Sequence, residues 1–281
     1  VNANTNNSAA IKDIVCQKLS YKVHNKTLLM GVDTVFNAGK ISVVLGKNGA
    51  GKSTLLSLLT KEITATDGSI LWHKKPIENC TFAELALQRS VLPQLQNMVF
   101  SLKVQQLIEL GAEVQQKTNY IDDITFSVMQ VCDIEHLAQR DVITLSGGEQ
   151  KRVQLARVLA QIWPVEAIQS GEQNPFSGKW LFLDEWTTSL DLHHQQQLAL
   201  YFKKWSQQGL GIVMVLHDLN LTSQLADQVK ILKQGQLAIE GNALEVFTEK
   251  NVKQTLDLDI MIKNIESVAQ PIIVPREVLI K

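Results

Sequence analysis

"LSGGEQKRVQLARVLAQIW" covers residues 145–163 and opens with a serine and two glycines ahead of a helical pattern. Ser146 is a strong helix N-cap, because its hydroxyl can accept from the orphan amides of a first turn. Leu155, Val158, Leu159 and Ile162 then fall on one face, until Pro164 ends the helix. Gly147 and Gly148 permit close approach by another backbone or a ligand. Such a helix start offers free N–H groups and the positive end of a dipole, which suits it to receive an anion.

A second anion-binding start lies upstream. "GKNGAGKST" (46–54) fits the phosphate-binding pattern G-x-x-x-x-G-K-[ST]. Gly46, Gly49 and Gly51 let the backbone N–H groups of a loop that also contains Lys47, Asn48 and Ala50 turn inward. Lys52 is placed to bridge the β- and γ-phosphates of a nucleoside triphosphate, and Ser53 to ligate Mg²⁺. Thr54 continues into the helix "STLLSLLT", whose positive end points at the phosphates.

Three apolar runs stop at chemical residues. "ISVVL" (41–45) ends at Gly46, "WLFL" (180–183) at Asp184-Glu185 and "IVMVL" (212–216) at His217-Asp218. Runs of this kind read as strands buried on both faces of a parallel sheet, and ligands sit beyond the carboxyl ends of such strands. All three clusters therefore share one edge. Asp184 is placed to hold Mg²⁺, and Glu185 to orient or deprotonate the attacking water. His217 reads equally as a γ-phosphate contact or as a structural imidazole.

Helical patterns occupy 81–90, 101–114 and 126–138, so about 95–160 reads as a helical subdomain. "KILKQGQLAIEG" (230–241) reads as a hairpin turning at Gln234-Gly235. Residues 164–179 lack periodicity and read as a loose surface insertion. The polar start, 1–10, reads as a disordered tail without a signal-peptide layout. Residues 245–256 read as helical and 270–280 as extended, within a C-terminal extension over 251–281.

The bulk composition excludes several classes. The 281 residues carry a formal charge of −1, so no global basic field exists to hold nucleic acid. Cys16, Cys80 and Cys132 are odd in number and form no C-x-x-C pair, which argues against a disulfide framework or a zinc site. No apolar run is long enough to span a bilayer.

Taken together, these motifs resemble the ATP-binding cassette (ABC) ATPases over about residues 11–250. "LSGGEQ" is similar to that family's signature, and "LFLDE" to its Walker B strand. Gln94 in "LPQ", the D-loop "TSLD" (188–191) and His217 follow in the family's order. The resemblance implies an α/β fold with a parallel-sheet P-loop core, an N-terminal antiparallel β part and a helical subdomain. It implies that Tyr21 stacks on adenine, a contact of about 0.5–1.5 kcal/mol. It also implies a homodimer that sandwiches ATP, with Ser146, Gly147, Gly148 and Gln150 near the γ-phosphate in trans. Gln94 would sense Mg²⁺ and the attacking water, and Asp191 would touch the partner subunit.

With one cassette and no span, the chain resembles bacterial importer subunits that work through a separate permease dimer. The stretches 70–94 and 215–237 are similar to ATPases of the iron-siderophore, haem and vitamin B12 importers. "RVLAQIWP" followed by an insertion, and "QPIIVPR" near the end, point within that group to haem (hemin) import. The implied location is the cytoplasmic face of the bacterial inner membrane, with a periplasmic haem-binding protein as indirect partner. Siderophore or cobalamin cargo is the alternative; a nucleic-acid-associated cassette is the alternative of another class. Two positions depart from the family, Lys47 and Trp186, each where relatives carry Pro. Lys47 is expected to add charge near the phosphates. Trp186, read as bulky and flexible, is expected to disturb Glu185 or the D-loop and to lower turnover relative to W186P.

Overall fold

The computed structural model describes residues 12–94, 101–263 and 270–276; the expected tail over 1–10 lies outside the described residues. The chain opens with β1 (Ile14–Val23) and β2 (Lys26–Phe36), paired antiparallel. β3 (Ile41–Gly46), buried throughout, runs through the phosphate loop into α1 (Lys52–Leu59). β4 (Asp67–Trp72) returns to pair with β1, and β5 (Lys75–Pro76) completes a sheet of order β2-β1-β4-β5.

The middle of the chain is mostly helical. A short α2 (Phe82–Ala86) and β6 (Arg89–Leu92) lead to α3 (Val104–Glu113), α4 (Ile121–Val131) and α5 (Gly147–Ile162). After α6 (Val165–Gln169), β7 (Trp180–Asp184), α7 (Leu192–Gln207), β8 (Gly211–Val215) and α8 (Leu219–Leu225) alternate. β9 (Gln228–Lys233) and β10 (Gln236–Gly241) form the expected hairpin, with Gln234 and Gly235 both at positive φ. α9 (Ala243–Val246), α10 (Glu249–Leu256) and the antiparallel pair β11 (Ile260–Lys263) and β12 (Ile272–Pro275) follow.

The central sheet has the order β10-β9-β3-β8-β7-β6, parallel except for β10. Alternation along its buried strands feeds two apolar layers. Val44, Val213, Val215, Trp180 and Phe182 pack on the leucines of α1 and, through them, on Ile14, Leu29 and Phe36 of the antiparallel sheet. Val43, Ile212, Met214, Leu181 and Leu183 pack on the helical side. Each fully buried Leu or Phe contributes about 1.5–3 kcal/mol, so α1 is held by its leucines rather than by its length. In the helical layer, a Cβ at Gly111 would lie 2.3 Å from the Arg157 carbonyl oxygen, so a side chain there would force α3 and α5 apart.

Several local expectations change. The 81–90 segment is helical only to Ala86, then becomes the edge strand β6 in register with β7. Residues 164–179 are not loose throughout: α6 forms at their start, and Phe176 is buried against Trp163 and Trp205. The 245–256 helix is interrupted where Phe247 turns into the core and Thr248 caps α10. α10 itself runs across residue 250, burying Val252 and Leu256. Trp186 is not a flexible residue: it is fully buried, with its ring edge-on to Phe202 at 5.0 Å.

Candidate functional site

β3, β7 and β8 end at one edge of the sheet, and the residues that follow them open a cleft of about 560 Å³. Lys26, Leu28, Asn48, Gly49, Gly51, Lys52, Ser53, Thr54, Gln94, Glu185 and His217 line it. Gly51, the α1 N-cap, has φ 104°, and a Cβ there would lie 2.7 Å from the Leu28 carbonyl oxygen. Only glycine suits both constraints. The first turn of α1 has no side-chain cap and no acidic residue, so it presents bare N–H groups.

Lys52 folds back over its own loop. Its ammonium donates to the Gly46 oxygen at 2.8 Å and to the Lys47 oxygen at 3.2 Å. Burial pushes its pKa down, while the nearby Glu185 and Asp184 carboxylates pull it back up. Ser53 Oγ donates to Asp184 Oδ2 at 2.8 Å. Asp184 Oδ1 is buried with no hydrogen-bond partner among the described residues. Burial pushes the Asp184 carboxyl up, against the lowering effect of the Ser53 bond.

Glu185 gathers the ends of three strands. Gln94 Nε2, just past β6, donates to Glu185 Oε2 at 2.8 Å. His217 Nε2, just past β8, lies 2.6 Å from Oε1. Glu185 itself has φ 50°, a left-handed backbone that aims its carboxylate sideways along the sheet edge, and its N–H is tied to the Val215 oxygen at 3.2 Å. Sequence reading named all three residues but not their mutual contact.

Not every expected residue reaches the cleft. Tyr21 sits half-buried on β1 against the α1 layer and is not part of the cleft wall, which Lys26 and Leu28 of β2 form instead. Lys47 supplies its carbonyl to Lys52, but its ammonium is engaged by the Asp257 carboxylate just beyond α10. The charge expected near the phosphates is therefore paired, and Lys47 holds the Asp257 carboxyl below its usual range.

The start of α5 lies elsewhere on the surface. Ser146 and Gly147 are exposed and line no part of the P-loop cleft. Ser146 and Glu149 form a capping box, in which the Glu149 carboxylate accepts from both the amide and the hydroxyl of Ser146. The side-chain amide of Gln150 donates to the Val142 and Leu145 oxygens at 3.2 and 3.1 Å, within its own chain. A Cβ on Gly148 would come within 2.8 Å of the Ser189 oxygen, so the 188–191 turn rests directly against the α5 start. Asp191 N-caps α7, accepting from the His194 amide at 2.9 Å.

A P-loop, a strand-end acid pair and a second anion-ready helix on one parallel α/β core define a nucleotide-hydrolysing cassette. The model of the ABC transporter family matches residues 29–165. The hemin import ATP-binding protein HmuV of Escherichia coli O157:H7 is 37% identical over 93% of this chain and 98% of its own length. That of Hahella chejuensis is 35% identical over 84% and 89%. Among solved structures, cbiO1 from Clostridium perfringens, part of an ABC transporter complex, superimposes with a TM-score of 0.69 at 27% identity over 86% of this chain and 92% of its own. The chain belongs to the ABC transporter family and is an ATPase of that family.

Proposed function

We propose that this chain drives haem import through a separate membrane permease, hydrolysing ATP in the cleft between the P-loop and Glu185. The cargo reading is supported by the hemin import relatives, which align along nearly the whole chain. The site reading rests on one observation above the rest: the Glu185 carboxylate held between Gln94 and His217, directly beside Lys52 and the Ser53–Asp184 pair. Among the described residues no helix is long and apolar enough to cross a membrane, so docking to a permease would bring the chain to the cytoplasmic face.

In this reading the bare amides of the P-loop and of α1 bind the phosphates, and Lys52 swings from its own carbonyls to the β- and γ-oxygens. The partnerless, buried Asp184 oxygen and the Ser53 hydroxyl suit a hard divalent cation, so these two residues would hold Mg²⁺. Bound there, Mg²⁺ supplies charge neutralisation at the phosphates. Glu185 orients the attacking water and accepts its proton, while His217 and Gln94 fix the two oxygens of that carboxylate. The exposed Ser146 end completes the site of a second copy, with Gly147, Gly148, Gln150 and Asp191 at that interface. The cassette proper then covers about 11–250, with the helical subdomain over about 95–160.

The test is reconstitution. With its permease in proteoliposomes, the chain should hydrolyse ATP faster when a haem-loaded binding protein is added, and Glu185→Gln should bind ATP yet not turn over. Stimulation by a siderophore- or cobalamin-loaded protein instead would move the cargo and leave the ATPase reading intact.

A further inference from the structure

One histidine outside the cleft faces two carboxylates from different parts of the fold. His194 lies on the first turn of α7, mostly buried. Its Nδ1 is 2.8 and 2.9 Å from the two Asp191 oxygens, and its Nε2 is 3.3 Å from Asp133 Oδ2. Asp191 ends the turn that rests on Gly148. Asp133 lies just past α4, and its Oδ2 also receives Arg152 Nη1 at 3.2 Å. Arg152 belongs to α5, the helix that Ser146 begins, and also donates to the Cys132 and Asp133 oxygens. The groups around His194 are therefore Asp191, Asp133 and Arg152, with His193 edge-on to its ring at 5.5 Å.

The proton count decides what this bridge can do. A neutral imidazole has one N–H and one lone pair, whereas an imidazolium donates from both nitrogens. With carboxylates at both nitrogens, the two contacts are hydrogen bonds together only when the ring is protonated. Neutral His194 would keep its proton on the Asp191 side, where the contact is shorter and shared by two oxygens, and would turn a lone pair towards Asp133. Loss of the proton thus opens the Asp133 arm first.

We propose that His194 is a positioning residue: as an imidazolium it ties the 188–191 turn to the signature helix through Asp133 and Arg152. It thereby fixes how Ser146 is presented relative to Asp191, and raising the pH loosens that presentation. This rests on the reading that the Ser146 end completes the site of a second copy. None of the bridge residues lines the P-loop cleft, so binding of nucleotide by one chain should not depend on it.

The full chain tests this with three readouts. For His194→Phe, kcat should fall about fivefold to tenfold at mildly acidic pH, as expected for breaking hydrogen bonds to a charged group, while KM and the Kd for a fluorescent ATP analogue stay within about twofold. The ratio of wild-type to variant kcat should shrink towards one as pH rises, which a purely structural loss would not produce. His194→Gln keeps one donor, so its kcat should fall between the two and its ratio to His194→Phe should not vary with pH. In the wild type, ¹⁵N spectra of the imidazole should show a proton on both His194 nitrogens whenever the bridge is formed, as carboxylates at both nitrogens require. That spectrum does not depend on turnover, so an inactive wild type would count against the ATPase reading and not against the bridge. A His194→Phe chain with wild-type kcat, a ratio that does not vary with pH, or an Nε2 unprotonated throughout would each overturn the proposal.

Discussion

The two helix ends suited to phosphate are built in opposite ways. α1 begins uncapped inside a cleft, with its N–H groups bare and Lys52 folded over the loop carbonyls. α5 begins on the open surface, already capped by Ser146 and already facing an anion, the Glu149 carboxylate. An uncapped start inside a cleft offers its N–H groups directly to an anion. A capped, exposed start has its needs met locally and gains from a ligand only when another surface brings one to it. The contrast explains why one chain holds two such ends that share no cleft.

The sharpest way to break this contrast is at the closed end. Replacing Glu185 with Gln keeps the contact geometry to Gln94 and His217 but removes the base, and should lower ATP turnover about 10²–10⁴-fold with nucleotide affinity retained. Single-turnover phosphate release measures the first quantity and equilibrium binding the second. A variant that still turned over near the wild-type rate would remove Glu185 from the chemistry and require another group to act as the base.

Next in size is the support behind Glu185. Trp186 is fully buried against Phe202, yet its Nε1 has no partner among the described residues. Trp186→Ala should therefore cost about 3–5 kcal/mol of stability through the cavity it leaves. Trp186→Phe, which also removes the orphaned N–H, should stay within about 1.5 kcal/mol of wild type. Chemical denaturation separates the two. The same packing reverses the expectation for W186P, which now loses a buried ring and should lose activity with it.

These outcomes also show what was readable from the residues alone. The buried strands, the hairpin at Gln234-Gly235 and the capped α5 were legible because local periodicity and capping chemistry determine them. β6 was not, because "RSVL" is short and its burial comes from pairing with β7, which no local pattern shows. Trp186 looked like a misfit because its pocket is made by Phe202, sixteen residues on in another element. Lys47–Asp257 and His194–Asp133 escaped for the same reason: their partners are distant in sequence, and charged residues on turns read as solvated.

Acid challenges the far edge of the sheet, where β7 begins. Trp180 Nε1 donates to His73 Nε2 at 3.0 Å, and burial, aided by Lys12, pushes the His73 pKa down from 6.5 to about 4. An imidazole held below its ordinary value contributes stability that is complete above pH 6.5 and is lost as pH falls towards about 4. A His73→Phe chain should show a flatter decline in melting temperature across that window.

At the open end, Glu149→Gln should act in the favourable direction. The wild-type carboxylate sits against Ser146 and would repel a γ-phosphate brought there by a second copy, as proposed above. Neutralising it should tighten nucleotide-dependent self-association about twofold to fivefold, while the weaker interaction with the helix dipole costs about 0.3–1 kcal/mol of stability. Sedimentation with a non-hydrolysable analogue reads the association. Weaker association would mean that the capping box, rather than the bare serine, is what a partner recognises.

The smallest effect belongs to Lys47. Its ammonium is held by Asp257, both side chains are half exposed, and an exposed pair of this kind adds little against solvent screening. If the closed end owes its affinity to backbone amides and Lys52, then Lys47→Pro should change the nucleotide Kd less than about twofold. Asp257→Asn supplies the matching measurement, because it frees Lys47 without touching the loop. Tighter ATP binding in Asp257→Asn, lost again when Lys47→Pro is added, would show that the salt bridge diverts a charge the cradle can use. Equal affinities in all three chains would confine Lys47 to fastening α10 beside the phosphate loop.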